Sequence, residues 1–400
     1  MVVPYILPEH WIRYDVTAIA SELIEAKAAI QSLTAMPFQR SWAEAFQEVE
    51  LKREVAGTSR IEGADFTEKE LEEALSGDTP VERLTRSQRQ ARSAVTAYLW
   101  IAGLDSDRPI DESLIKEVHR RIVTGCDDDH CPPGELRGSD HNVTFGRPRH
   151  RGVEGGADCQ VAFKRLCGAL NQEFRGHDPL IQALALHYHL GAMHPFHDGN
   201  GRTARALEAF VLQRARLKDA LFIAMSNYYY DEKPTYLSTL SEVRRNNHDL
   251  TPFLKFGLSG IALQCQRLLK EIRNHVARSL FRDVMGKMYA RLRSTRKRAL
   301  AARQYEVLGK LLDKDQPIEY REFYEVMEKH YRTLRIPARA YVRDLNHLLR
   351  LGAITVTKQD DEYFIAVRLD WATEITETQF FREINRLPEA KTRLLVSPST

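Results

Sequence analysis

The run His194-Pro195-Phe196-His197-Asp198-Gly199-Asn200-Gly201-Arg202-Thr203-Ala204-Arg205 decides how this chain is read. Ile181, Leu184 and Tyr188 before it, and Leu207, Phe210 and Val211 after it, recur at helical spacing. The run is therefore a tight loop between two helices. Gly199, Asn200 and Gly201 let the backbone take unusual dihedrals at the start of the second helix, where free N–H groups and the helix dipole converge. Such a place binds phosphate oxygens. Arg202 and Arg205 share the first turn, so both guanidinium groups reach one anion with geometry suited to phosphate. Asp198 puts a hard carboxylate beside that pocket, which is how proteins hold Mg2+ when substrate phosphates complete the shell. His194, at the other end of the loop, is the natural general base for a hydroxyl nucleophile. Base, metal ligand and phosphate cradle together predict phosphoryl or nucleotidyl transfer. Phe196 reads instead as a buried anchor of the loop.

Outward from the loop, the first two thirds of the chain read as mostly helical. Trp42, Phe46 and Val49 stripe one helix, Val95 and Leu99 another, and Leu166, Leu170 and Phe174 a third; all are expected core faces. Thr67 to Glu70 has the form of a capping box ahead of Leu71 and Leu75, and Asp111 is placed to cap a helix carrying Leu114, Val118 and Ile122. Between Cys126 and Gly156 the pattern breaks into a glycine- and proline-rich stretch with a short extended piece, Asn142 to Phe145, which predicts a hairpin or surface flap. Near the C-terminus, helical runs at 302–313, 319–330 and 338–351 precede two extended runs, 354–357 and 362–367. Three helices followed by a hairpin predict a winged-helix module. The final thirty residues read as peripheral.

The chain has 400 residues, a formal net charge of +3, 43% hydrophobic and 28% charged residues, which fits a globular protein of two or three domains and forces no polyanionic partner. No apolar run approaches the ~20 residues of a membrane span, and the opening MVVPYILPEHWIRYD lacks a basic region ahead of a long apolar one, so the expected location is cytoplasmic, with no membrane partner. The five cysteines are scattered and odd in number, as reduced thiols are.

The string HPFHDGNGRTAR resembles the signature HPFx[D/E]GNGRxxR of the Fic family, with every fixed position present. The resemblance implies a mainly α fold, with a Fic helical core over 85–275 and a β-hairpin flap; the pattern beyond it adds a linker helix at 276–301, the C-terminal winged helix over 302–370 and a tail at 371–400. It also implies an activity: a protein adenylyltransferase that moves AMP from ATP, with Mg2+, to a Tyr, Thr or Ser hydroxyl of a target protein, the enzyme itself included. His194 would be the base, Asp198 the metal ligand, Gly199, Asn200 and Gly201 the anion hole, Arg202 the triphosphate contact and Arg205 the γ-phosphate contact. Tyr229 and Tyr236, in SNYYYDEKPTYLSTLSEVR, resemble the family's tyrosines beside the adenine. Val143, Thr144, Phe145 and Gly146 are the candidate flap that docks the target, with Arg147, Arg149 and Arg151 basic residues at its tip. Upstream, Thr58-Ser59-Arg60-Ile61-Glu62-Gly63 matches the inhibitory pattern [S/T]xxxE[G/N] of family members whose regulatory helix is N-terminal, here within 1–84. Glu62 would pair with Arg205 and so deny it to the γ-phosphate. A homodimer is compatible with the family.

Other signals are weaker. His187, His189, His194 and His197 suggest a metal hydrolase only until helical geometry sends His187 and His189 to different sides. Cys126 and Cys131, with His130 between, lack a second ligand pair. Seven basic residues and no acidic one between Lys287 and Arg303, beside a winged helix, raise a rival reading: a DNA-binding regulator whose core senses nucleotide. A third reading keeps the fold and changes the chemistry to AMP removal or transfer of another phosphate-linked group.

Overall fold

The computed structural model describes residues 2–36, 40–64, 66–126, 130–139, 142–146, 149–215, 223–292, 295–314 and 316–385. The chain divides into two compact units, Met1–Leu269 and Lys270–Thr400.

The first unit opens with strand β1 (Val3–Pro4) and continues through helices α1 (Ala20–Thr34), α2 (Arg40–Ile61), α3 (Glu68–Ser76), α4 (Arg86–Ala102) and α5 (Glu112–Val123). Strands β2 (Thr144–Phe145) and β3 (His150–Arg151) follow, then α6 (Ala157–Asn171), α7 (Pro179–Met193), α8 (Asn200–Leu212), α9 (Met225–Asp231), α10 (Lys233–Arg245) and the long α11 (Thr251–Ala290), which ends in the second unit. The capping box at Thr67 forms, Asp111 caps α5 through the Leu114 N–H, and a second capping box, Thr85 with Gln88, starts α4. Helix α7 is buried around almost its whole circumference, as the central helix of a bundle must be.

Two expected core stripes are corrected. Helix α4 buries Ala91, Ala94, Ala97, Tyr98 and Ile101, whereas Leu99 is 58% exposed and, with Val95, lines an open groove against α2. Small residues let the helices approach closely on that face, so the alanines take the core. On α2 Val49 is also exposed and Trp42 and Phe46 are half-buried; the buried positions include Ala43, Val55 and Ala56 together with the polar Glu50, Glu54, Thr58 and Ser59. Helix α2 thus docks by hydrogen bonds and ion pairs as well as by small apolar residues.

The flap hairpin is present: β2 pairs antiparallel with β3. A third strand was not foreseen, since β1 joins the other edge of β3 in parallel, giving the order β1-β3-β2. Arg147 lies outside the described residues.

The second unit carries α12 (Thr295–Leu312), β4 (Ile318–Glu319), α13 (Tyr320–Tyr331), α14 (Pro337–Leu351), β5 (Ile354–Gln359), β6 (Glu362–Val367), α15 (Trp371–Glu374) and α16 (Glu377–Asn385), with a sheet of order β4-β6-β5. Residues 371–385 are not peripheral: Trp371, Phe380 and Ile384 are buried in the unit's apolar core with Phe323, Tyr341 and Leu345. Their spacing looked unremarkable because only a few large side chains carry the burial. Residues 386–400 of the expected tail lie outside the described residues.

Candidate active site

Helix α7 ends at His194, whose φ of 54° places it in the left-handed region, and α8 begins after Gly199 at φ 72°. Between them the loop doubles back on itself. The Asn200 side chain holds this shape from both ends, accepting the Phe196 N–H at 2.9 Å and donating to the Phe196 carbonyl at 2.9 Å. The Asn200 amide is thereby used within the loop, so its backbone N–H is what it can offer an anion. Phe196 is fully buried, as expected of an anchor, and stacks on His119 of α5 with ring centroids 3.8 Å apart.

His119 and Arg137 are functional neighbours that the sequence did not disclose. His119 takes the Gly134 N–H on Nδ1 at 2.9 Å, which leaves Nε2 protonated to donate to the Asp198 carbonyl at 3.0 Å. Burial pulls its pKa down to about 4, so the imidazole is neutral. Arg137, 1% exposed, donates through Nε to the His194 carbonyl at 2.7 Å and through Nη2 to the Val153 carbonyl at 2.6 Å, and its backbone N–H donates to the Pro195 carbonyl. Both lie far from the loop in sequence, and no local spacing pointed to them.

His194 donates Nδ1–H to the Gly191 carbonyl at 3.1 Å, which leaves Nε2 with a free lone pair. The flap residue Phe145 stacks on its ring at 4.2 Å and 17°. Burial lowers the His194 pKa to about 4, partly opposed by the Gly191 hydrogen bond.

At the start of α8, Arg202 is buried at 3% exposure and spends one nitrogen on Asp198, Nη2 to Oδ2 at 3.0 Å. Its Nε and Nη1 find no hydrogen-bond partner among the described residues. Two unpartnered nitrogens of a buried guanidinium at a helix N-terminus are chemically suited to anion oxygens. The Asp198 side chain is 53% exposed, so its carboxylate is a residue that could hold a hard cation. Among the described residues there is no cluster of three or more His, Cys, Asp or Glu placed to hold a metal. His187 and His189 do diverge: His187 bonds Tyr236 and Glu208, and His189 bonds Tyr5 and the Trp11 carbonyl.

Glu62 lies at the same end of α8 but on Arg205 rather than on Arg202. Its Oε1 lies 2.6 Å from Arg205 Nη2 and only 2.5 Å from where a Cβ on Gly201 would stand, so the carboxylate rests on the glycine at the first turn of α8. Burial would raise the Glu62 pKa, but the Arg205 charge outweighs it and holds the carboxyl below its ordinary value. Thr58 completes the contact, accepting from Arg205 Nε on Oγ1 at 2.9 Å. Lys233 Nζ donates to the Ile61 carbonyl at 2.8 Å and caps the end of α2.

Glu62, Phe145, Gly146, His194, Gly201, Arg205 and Tyr236 line one cavity of about 260 Å3, whereas Asp198, Gly199, Asn200 and Arg202 do not line it. That volume falls just short of the ~300–1,000 Å3 of small-molecule sites. Tyr229 does not line it; fully buried, it stacks behind Tyr236 with centroids 4.7 Å apart.

The profile of the Fic/DOC family matches residues 109–212. The chain carries a Fic domain. It is 34% identical over 205 residues to the protein adenylyltransferase Fic of Culex quinquefasciatus, covering 46% of this chain and 37% of that relative. To the protein adenylyltransferase Fic of Nematostella vectensis it is 27% identical over 208 residues, covering 46% and 44%. The chain thus spans under half the length of these curated relatives. Among solved structures, a Fic family protein from Desulfovibrio desulfuricans aligns with a TM-score of 0.56 at 16% identity, over 91% of this chain and 99% of that one. Fic-1 from C. elegans aligns with a TM-score of 0.53 at 21% identity, over 64% and 74%. These two establish likeness of fold. No described helix is long and apolar enough to cross a membrane.

Proposed function

We propose that this Fic protein is a protein adenylyltransferase, a nucleotidyltransferase that passes AMP from ATP to a hydroxyl side chain, and that Glu62 holds it inactive. The observation that carries this reading is the Glu62 carboxylate seated on Gly201 and Arg205, where an anion belongs, in the cavity that also holds His194. A carboxylate placed there is a stand-in for a phosphate oxygen, and it keeps ATP from extending along α8.

With Glu62 withdrawn, Arg205 takes the γ-phosphate, Arg202 supplies its free Nε–H and Nη1–H to the triphosphate, and the N–H groups of Gly199, Asn200 and Gly201 complete the cradle. Tyr236 forms the wall beside the base, with Tyr229 as its backing. His194 Nε2 accepts the proton of the target hydroxyl as its oxygen attacks the α-phosphorus; the bond to the β-phosphate oxygen breaks and pyrophosphate leaves. Asp198 is the residue that would hold Mg2+, which supplies charge neutralisation of the phosphates.

The flap geometry favours one docking edge for the target. Gly152 N–H donates to the Val143 carbonyl, so in this antiparallel ladder the N–H and carbonyl of Thr144 point away from β3. The opposite edge of β3 is closed by β1, through Val3 N–H to the Arg149 carbonyl and Tyr5 N–H to the Arg151 carbonyl. An extended target segment therefore adds beside Thr144, over Phe145 and His194.

Incubation with α-labelled ATP and Mg2+, followed by mass spectrometry, tests the proposal. Glu62→Gly should gain label as AMP on hydroxyl residues, with His194→Ala in the same background blank. Equal labelling of all variants, or a product other than AMP, refutes it; the latter favours the alternative phosphate-linked chemistries.

We also propose that the second unit is a winged helix, since α12, β4, α13, α14, β5 and β6 follow in that topology. A second reading, duplex DNA binding, is favoured by one observation: Arg332, Arg335, Arg339 and Arg343 are exposed around the start of α14. The basic run contributes less, because Lys287 pairs with Asp283, Arg291 with Glu377 and Arg303 with Asp344, while the side chains of Arg293, Arg296, Lys297 and Arg298 lie outside those described. A duplex shift that weakens with salt and with Arg339→Glu would support it.

A further inference from the structure

Among the described residues Arg205 makes four hydrogen bonds, and three of them go to α2 and the residue that follows it: Nε to Thr58 Oγ1, Nη2 to the Thr58 carbonyl at 3.3 Å, and Nη2 to Glu62. The fourth runs from Nη1 to the Tyr236 hydroxyl at 3.5 Å. When α2 lets go, Tyr236 is thus the protein partner that Arg205 keeps. The guanidinium is 2% exposed, so it cannot fall back on water for its orientation.

Tyr236 is itself held by a buried chain. Its hydroxyl lies 2.8 Å from His187 Nε2, and His187 Nδ1 bonds Glu208 Oε2. The other Glu208 oxygen accepts the Tyr229 hydroxyl at 2.8 Å. His187, Glu208, Tyr229 and Tyr236 are all under 4% exposed. The donors run in one direction. Glu208 accepts from His187 Nδ1–H, which leaves Nε2 as acceptor for the Tyr236 O–H, which leaves the Tyr236 oxygen lone pairs for Arg205. Each link polarises the next, so the carboxylate at one end strengthens the acceptor at the other.

We propose that Tyr236, His187 and Glu208 are positioning residues that hold Arg205 in the released state, replacing the grip of Thr58 and Glu62. In that state the 3.5 Å contact shortens to a full hydrogen bond, and Arg205 stays aimed at the γ-phosphate. The inference rests on the ATP-binding reading above and adds the element that sets ATP apart from shorter nucleotides. No group on the chain touches the reacting phosphorus; the chain acts through Arg205.

Titration calorimetry with Mg2+ present tests this on the full chain, comparing Glu62→Gly with the double variants Glu62→Gly/Tyr236→Phe and Glu62→Gly/Glu208→Gln. The ligands are ATP and AMP. Phenylalanine keeps the ring that stacks on Tyr229 and removes only the hydroxyl. The expected result is an ATP Kd raised about tenfold in both double variants, with the AMP Kd raised far less, since the ring that walls the base stays in place. A merely structural defect would weaken both nucleotides together, and that outcome overturns the proposal, as does an ATP Kd that stays put. If Glu62→Gly itself binds ATP no more tightly than AMP, the triphosphate reading fails, and this inference with it. In the Glu62-containing parent, Tyr236→Phe should change nucleotide affinity less, because α2 still orients Arg205.

Discussion

Replacing Gly57 with alanine should switch the protein on without touching any residue that meets nucleotide. Gly57 lies where α2 crosses α9, and a Cβ there would stand 2.5 Å from both Asn227 N and Ser226 C, and 2.6 Å from Ser226 O. Carbon contacts settle near 3.5–4.0 Å, so the two backbones must part by about 1 Å. Backbone atoms cannot rotate aside as a side-chain end would. Parting them also breaks the Glu54 contact, since its carboxylate accepts the Ser226 N–H at 2.7 Å and the Ser226 hydroxyl across the same crossing. Overpacking of this kind costs about 1–3 kcal/mol. Spread over a docked and a released α2, that shifts the equilibrium about 5- to 150-fold toward release. Alanine favours the helix itself by about 0.5–1 kcal/mol over glycine, so fraying of α2 cannot be the cause of any gain. Gly168→Ala, where an added Cβ meets nothing within 4 Å, is the matched control. Two readouts are needed: hydrogen exchange of the α2 amides, and label from α-labelled ATP. Gly57→Ala should accelerate exchange and raise labelling toward that of Glu62→Gly, and combining the two should add little. Unchanged α2 exchange in a folded Gly57→Ala protein would refute the crossing argument, whatever the labelling shows.

Two further predictions concern protons. The His194 ring should titrate with a midpoint near 4 by NMR, and Phe145→Ala should move it up toward the ordinary value, because the flap ring contributes the burial that lowers it; an unmoved midpoint would show that the flap does not. His189 is also kept neutral, with burial lowering its pKa to about 3. Below the unfolded value of about 6.5 the unfolded chain binds a proton that the folded chain refuses, so stability falls as pH drops, by about 2 kcal/mol near pH 5 from this residue. Glu54 acts with opposite sign, its pKa raised to about 7 by burial, so the test is a difference. His189→Gln should unfold in urea with a weaker loss between pH 7 and 5 than the parent, and parallel losses would count against the assignment.

The sequence determined the loop between α7 and α8 by itself, because the chemistry there is local. Within a dozen residues, glycines fix the turn, a helix start supplies N–H groups, and the arginines of its first turn share a face. The order of three helices and a hairpin in the second unit, α12, α13, α14, β5 and β6, was legible for the same reason, since each of these elements is patterned by its own residues. Tertiary structure alone decided what the loop meets. Glu62 reaches Arg205 across 143 residues of chain, and only the docking of α2 sets that distance. The stripe of Trp42, Phe46 and Val49 misplaced the docked face of α2, because that face also runs through Glu50, Glu54 and Thr58, whose burial is tolerable only once Arg267, Ser226 and Arg205 stand opposite them. The same holds for β1 on the flap and for His119 beneath Asp198. Polar partners of this kind carry no periodicity, and a hydrogen bond between distant segments exists only when the fold has brought donor and acceptor within three ångströms or so of each other.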